Sequence, residues 1–405
     1  MIVRARIVLT MHGPPVENGA VAISGKNIVD VGPFPEVRAR NSGEIVDLGE
    51  RALLPGLINA HCHLDYTCLR GKIPRQNSFA DWIRAINVEK AKLSAEDYVE
   101  SITNGFAEAK RFGTTTVVNL TAFPELISRI QAPIRTNWFG ELIDVRGKMD
   151  VDLAVRSLRS ADHWGLAPHA PFTASAELYR RCEVVARLLT THVGESREEM
   201  SMFRDASGPL YDFLNELGRD MSDCGGNTPL AEFVRRIGRV NKWIVAHLNE
   251  LDESDFRFLK GAKSKFSIVH CPRSHEHFGH SQFQFERLAA LGFNICVGTD
   301  SLASNQDLNL FAELRAFQRA VPNDSPEQIF KFVTTNPARA LQQQNALGQI
   351  RAGFRADLIA IPCRTLKAVY DEVVAFEGAV ESMLIDGEVS QSPGNSQKPL
   401  FFSQT

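Results

Sequence analysis

The chain has 405 residues, 44% of them hydrophobic and 23% charged, and its 45 basic and 48 acidic side chains leave a formal net charge of −3. This composition is that of a globular protein with room for one large barrel and a satellite domain; the near balance of charge, with no basic stripe and no acidic tail, argues against a nucleic-acid partner and for a small-molecule substrate. Seven cysteines without a Cys-x-x-Cys suggest reduced thiols and a cytoplasmic location, the first residues do not read as a signal peptide, and no uncharged apolar stretch reaches the length of a membrane span.

Residues 1–53 read as short strands, at 2–9, 19–23, 27–31 and 44–48, broken by Gly, Pro and Asn. The pattern then changes: residues 54–348 alternate apolar, β-branched runs with amphipathic stretches. Strands are expected at 56–60, 115–120, 136–143, 165–168, 188–192, 243–247, 267–270 and 294–298, with helical stretches between them such as 95–112, 174–188, 229–239, 252–259 and 283–291. Eight strands with intervening helices suggest an α/β fold, the (β/α)8 TIM barrel, rather than a doubly wound open sheet. The barrel is favoured because polar residues follow the ends of many different strands. Residues 349–405 return to short strands, so both chain ends are expected to pair into one small β domain, with a loose tail after Val389. The long segment 196–228 reads as a lid or as a packed insertion.

The chemistry is concentrated at strand ends. In Leu54-Pro55-Gly56-Leu57-Ile58-Asn59-Ala60-His61-Cys62-His63, two histidines at i and i+2 of a strand share one face. Imidazole is a good ligand for zinc or iron, and two of them make half a site. His192, His247 and Asp300 each end a further apolar run. His61, His63, His192 and Asp300 together supply three nitrogens and one oxygen to one divalent metal, zinc before iron, with a position left for solvent. Glu195, three residues past His192, is placed to shuttle protons or, alternatively, to brace a ligand. His247 either polarises the attacking water or orients or ligates, and Asp300 is placed both to ligate and to accept a proton.

In this order, with His192-Val193-Gly194-Glu195, Ala246-His247, Val297-Gly298-Thr299-Asp300, Thr335-Asn336-Pro337-Ala338-Arg339-Ala340-Leu341 and Gly353-Phe354-Arg355-Ala356-Asp357-Leu358, the chain resembles the amidohydrolase superfamily over nearly its whole length. The similarity is to the branch of cytosine, guanine and adenosyl-type deaminases and triazine chlorohydrolases. It implies a hydrolytic deaminase with Glu195, His247 and Asp300 as catalytic groups, and a homodimer. It also implies a single metal, because the fourth strand, Gly165-Leu166-Ala167-Pro168-His169, lacks the carboxylated lysine or glutamate that bridges two ions. By the same resemblance His169, Trp82 and Ser304 contact substrate.

The substrate implied is an aminated purine or adenosine-type nucleoside, of the adenosylhomocysteine, methylthioadenosine or aminodeoxyfutalosine class. Ala80 stands where the adenosylhomocysteine deaminases carry a ribose-binding glutamate, which weakens that assignment. In Cys271-Pro272-Arg273-Ser274-His275-Glu276-His277-Phe278-Gly279-His280, the three histidines read as a loop wall or a second metal site. Arg273 either receives a substrate carboxylate or pairs with Glu276 or another carboxylate. A guanine or pterin deaminase, a chlorohydrolase or amide hydrolase, and a non-catalytic binding protein on the same scaffold are the alternatives.

Overall fold

The computed structural model describes residues 1–262, 264–363 and 365–390, so the tail read from sequence beyond Ser390 lies outside the described residues. The apolar runs become parallel strands in chain order: β1 (Leu57–His63), β2 (Thr114–Thr121), β3 (Arg135–Leu142), β4 (His163–Pro168), β5 (Leu189–Val193), β6 (Trp243–His247), β7 (Ser267–His270) and β8 (Asn294–Val297). Every residue of β1 and β2 is buried, as expected of strands covered on both faces.

The ring closes through a divided last strand. β8 pairs with β7, Ile295 opposite Ile268. After Gly298 and Thr299 the chain extends again as Asp300–Ser301 and pairs with β1, Asp300 opposite Cys62 and Ser301 opposite His63. A glycine stands at this crossing because nothing larger fits: a Cβ on Gly298 would lie 2.7 Å from the His61 carbonyl oxygen and 2.9 Å from its Cβ. The architecture is the (β/α)8 barrel.

Side-chain alternation sorts the residues. Ile58, Ala60, Val118, Leu120, Phe139, Ala167, Ile244, Val269 and Cys296 form the barrel's interior cluster, joined by Ala338, Ala340 and Leu341. The opposite faces pack on the surrounding helices. The helix Ala95–Arg111 starts at a Ser94–Asp97 capping box and buries Ile102, Phe106 and Ala109 on one stripe, the spacing of a helix laid on a sheet. The second sheet joins the chain ends: Arg51–Pro55 runs antiparallel to Leu358–Pro362, Leu54 opposite Ile359, beside strands from residues 2–47 and 382–390. Arg135 of β3 pairs with Asp357 at 3.2 Å and Asp386 at 2.5 Å, tying this sheet to the barrel.

The segment after β5 carries the helices Arg197–Asp205 and Pro209–Glu216. Just beyond, Arg219 binds both carboxylate oxygens of Asp223 at 2.7 and 2.8 Å and the Phe172 carbonyl at 2.8 Å. Buried Arg236 adds the Pro171 and Ala174 carbonyls at 2.7 Å each and pairs with the same Asp223. These contacts make the segment a wall anchored to the loop after β4. Among the described residues no helix is long and apolar enough to cross a membrane.

Candidate active site

The C-terminal ends of β1, β5 and β6 and the Asp300–Ser301 bridge converge. His61, His63, His192, His247 and Asp300 meet there, all buried. A register shift between Asn59 and Cys62 on β1 re-aims the strand, so that Ile58 and Ala60 fill the barrel below while Cys62 packs outward. Asn59 holds the shift in place: its amide donates to Thr299 Oγ1 at 2.8 Å, and its oxygen accepts from the backbone N–H of Thr299 at 3.2 Å and of His61 at 3.3 Å.

Two of the five residues sit on a backbone that L-residues avoid, His247 at φ 76° and Asp300 at φ 59°. Such conformations cost about 1–3 kcal/mol each and persist only where the surroundings over-determine them. Here the Leu248 N–H is fixed on the Val193 carbonyl at 2.9 Å, and the Ser301 N–H on Asp300 Oδ1 at 2.8 Å.

The donor set fits one divalent cation. His192 Nδ1–H donates to the His169 carbonyl at 2.7 Å, which fixes the tautomer and leaves the Nε2 lone pair free. That Nε2 lies 3.3 Å from His63 Nε2. Two nitrogens at about 2.0 Å from one zinc, separated by a tetrahedral angle, stand about 3.3 Å apart. Asp300 Oδ1 is 3.9 Å from both His61 Nε2 and His63 Nε2, inside the limit of about 4 Å for ligands on opposite sides of such an ion. Both ring nitrogens of His61 are buried without a protein partner. An orphaned buried polar atom costs roughly 1–3 kcal/mol, so this ring calls for a ligand. Burial first, then the neighbouring imidazoles, holds His61 and His63 well below the usual histidine range, in the neutral form that binds metals.

Glu195 Oε2 lies 3.7 Å from His247 Nε2. Burial, then the Asp300 and Glu199 carboxylates, pushes the Glu195 carboxyl well above the usual range. Its backbone is held on both sides: the N–H donates to Glu199 Oε2 at 2.8 Å, and the carbonyl accepts from Asn249 Nδ2 at 3.1 Å. Asn249 Oδ1 in turn lies 3.0 Å from His275 Nδ1. Of the three histidines in the 271–280 segment, His275 and His277 lie on the helix Pro272–Phe278 and His280 follows it; His275 braces the site through Asn249, and among the described residues none of the three belongs to a metal-ligand cluster.

Above these groups opens a cavity of about 850 Å³. Trp82 and His169 line it, as do Glu195, His247, Asp300 and Ser301. Two expected contacts are diverted. Ser304 lies below the cavity, 2.8 Å from Ser274 Oγ, which donates to Asp300 Oδ2 at 2.7 Å; Ser301 is the serine on the wall. Arg273 is turned away, with its guanidinium on Asp307 at 2.5 Å and Gln306 at 3.2 Å. The loop ion pair prevails because a nearby carboxylate satisfies the fork, which corrects the reading of Arg273 as a substrate contact.

The residues on this wall that sequence reading missed are Glu141, Lys90 and Tyr66. Glu141 ends β3, and its Oε1 is buried, unpartnered and 3.9 Å from His63 Nδ1. Its signal was available, an acid at the C-terminal end of an apolar strand. Lys90 ends the helix Phe79–Lys90, whose first turn is held by Ser78 Oγ on the Asp81 N–H and by Glu198 on the Phe79 and Ala80 N–H groups.

The chain matches the model of the Amidohydrolase family over residues 52–389. It is 28% identical to the 5-methylthioadenosine/S-adenosylhomocysteine deaminase of Pyrococcus furiosus, covering 92% of this chain and 89% of that one. It is 27% identical to the 5'-deoxyadenosine deaminase of Methanocaldococcus jannaschii, covering 92% and 91%. Among solved structures, a zinc-bound adenosine deaminase from Xanthomonas campestris superposes with a TM-score of 0.80 at 25% identity, over 98% of this chain and 94% of that one. The aminofutalosine deaminase of Helicobacter pylori, at 20% identity over 96% and 99%, shares the fold with a TM-score of 0.84. With the family's model matched from residue 52 to residue 389, which takes in the whole barrel, the chain belongs to the amidohydrolase family of hydrolytic enzymes.

Proposed function

We propose that this amidohydrolase is a metal-dependent deaminase of adenosine-type nucleosides, replacing the ring amino group with an oxo group and releasing ammonia. The observation that carries the reading is the Glu195 carboxyl, buried beside His247 and Asp300 at the floor of a nucleoside-sized cavity. The deaminase names of the relatives in both comparisons support the substrate class.

His61, His63, His192 and Asp300 would hold the cation. When bound, it supplies a solvent molecule acidic enough to attack near neutral pH. Asp300 and His247 accept the first proton and hold the attacking solvent in line. Glu195, whose carboxyl burial pushes up, carries protons to the ring and to the departing nitrogen. A C–O bond forms at the amino-bearing ring carbon and the C–N bond breaks; one proton of the water leaves on ammonia and the other rests on the adjacent ring nitrogen. Trp82 and His169 are the wall residues that hold the ring. Glu141, an acceptor on that wall, takes a substrate N–H or hydroxyl in place of the carboxylate that Ala80 lacks.

The test is ammonia release from 5'-deoxyadenosine, methylthioadenosine, adenosylhomocysteine, an aminofutalosine-type nucleoside and guanine, with metal analysis of the same protein. Glu195→Gln is expected to lower kcat by about 10²–10⁴ while retaining metal. A metal-replete wild-type protein that releases ammonia from none of these nucleosides refutes the proposal.

A further inference from the structure

A second pocket, of about 340 Å³, lies back to back with the main cavity. Phe79 and Trp82 line both. Its other walls come from residues 75–78, the start of the Arg197–Asp205 helix and the 277–280 turn.

The chemistry of this pocket is one-sided. Arg75 is positioned by its Nε on the His277 carbonyl at 3.0 Å and its Nη2 on the Glu276 carbonyl at 3.1 Å, and its Nη1 has no partner among the described residues. Arg197 is positioned by its Nε on Ser281 Oγ at 3.0 Å, and neither of its terminal nitrogens has a partner among the described residues. Both arginines are exposed, and among the described residues neither pairs with a carboxylate. His280 Nε2 is buried and has no partner, its ring stacked on Phe278 with centroids 5.1 Å apart. The pocket's one acid, Glu198, has both oxygens occupied by the Phe79 and Ala80 N–H groups, at 2.7 and 3.0 Å.

Two arginines that line one pocket, each held by hydrogen bonds and neither paired with a carboxylate, supply the donors that oxyanion recognition uses. We propose that the pocket formed by Arg75, Arg197 and His280 is a binding site for a compact oxyanion, a carboxylate or a phosphate. The inference goes beyond the deaminase reading and stands independently of it. The anion has two possible sources, a free ion or the acidic end of a nucleoside whose ring lies across the Phe79–Trp82 partition. In either case occupancy pins the first turn of the Phe79–Lys90 helix, which carries Trp82, Ile83, Ile86 and Lys90 of the main cavity.

The test titrates inorganic phosphate and benzoate into the full chain by calorimetry, for wild type, Arg197→Gln, Arg75→Gln and, as control, Arg146→Gln, an arginine that lines the main cavity and not the second pocket. It also compares KM for an uncharged nucleoside and for one with a carboxylate tail. Saturable phosphate or benzoate binding, weakened about tenfold in Arg197→Gln and in Arg75→Gln and unchanged in Arg146→Gln, supports the site. If either anion also competes with the carboxylate-tailed nucleoside alone, or if KM for that nucleoside alone rises in the variants, the source is the substrate. If neither happens while the small anions bind, the source is a free ion. Because Arg75 also holds the 276–277 carbonyls, Arg197→Gln is the decisive variant should Arg75→Gln unfold. The inference is overturned if neither anion binds and KM is unchanged for both nucleosides in Arg197→Gln, or if the affinity for the anion is unchanged in Arg197→Gln or falls as far in Arg146→Gln. Calorimetry needs no turnover, so failure of the anion site and failure of the deaminase reading are separable.

Discussion

Replacing Gly298 with alanine tests whether the crossing of the last strand sets the geometry of the metal ligands. The added methyl would lie 2.7 Å from the His61 carbonyl oxygen, 2.9 Å from His61 Cβ and 2.9 Å from His61 N. Carbon atoms pack at about 3.5–4.0 Å, so the two segments must separate by roughly 0.6 Å or more. His61 cannot yield alone, because its carbonyl accepts the Thr299 N–H at 3.0 Å and its N–H is on Asn59. The segment carrying Thr299 and Asp300 therefore shifts, with Asp300 already at φ 59°. Overpacking of this kind costs about 1–3 kcal/mol. A misplacement approaching 1 Å lowers turnover by up to about 10²-fold, so a loss of about ten- to a hundredfold in kcat is expected, with reduced metal content. Gly261→Ala is the control, since nothing lies within 4 Å of a Cβ there. Thermal melts, metal analysis and ammonia release on the three proteins decide the matter. A Gly298→Ala protein that keeps its metal and turns over within twofold of wild type would refute the reasoning.

Three further outcomes are expected. Saturating zinc should raise the Tm of metal-stripped wild type but not of His61→Ala, since a ligand at about 1,000 times its Kd stabilises by roughly 4 kcal/mol; equal shifts in both would remove His61 from the ligand set. Glu199→Ala, which orphans the Glu195 N–H, should lower kcat with metal retained, and Glu199→Gln, which keeps an acceptor oxygen, should restore most of it. Failure of the glutamine to rescue would assign Glu199 a role that needs the titratable carboxyl itself, which burial pushes up to about 7. The Glu313 carboxyl is fully buried and pushed up to about 8 by burial, against the pull of Arg273 and Asn305. Its folded-state value lies above the unfolded one, so the folded protein binds this proton more tightly. Its contribution to stability is complete below about pH 4.5 and is lost as pH rises through about 8. The Tm of Glu313→Gln relative to wild type should therefore climb between pH 5 and pH 9, and a flat difference across that range would contradict it.

The division of the chain into barrel and end-to-end sheet was legible because it rests on local periodicity. Strands buried on both faces are written as apolar runs, and amphipathic helices as stripes of spacing three and four, whatever they pack against. His61, His63, His192, His247 and Asp300 stood out because each ends such a run, where a barrel of this kind gathers its polar groups. Position alone did not say which way a side chain turns. Whether Arg273 receives a substrate carboxylate or pairs within the protein stayed open until folding placed Asp307 beside it, and Ser304, expected to contact substrate, sits on Ser274 next to Asp300. Glu141, Lys90 and the arginine-lined second pocket are assembled from a strand end, helix ends and loops distant in the chain. The division of the last strand at Gly298, and the left-handed backbone at His247 and Asp300, follow from closing a ring whose first and last strands are more than two hundred residues apart. A linear pattern records how each residue meets its own neighbours. Hydrogen bonds, steric contacts and charge pairs between remote segments exist only once the ring has closed, and those decided the shape of the site.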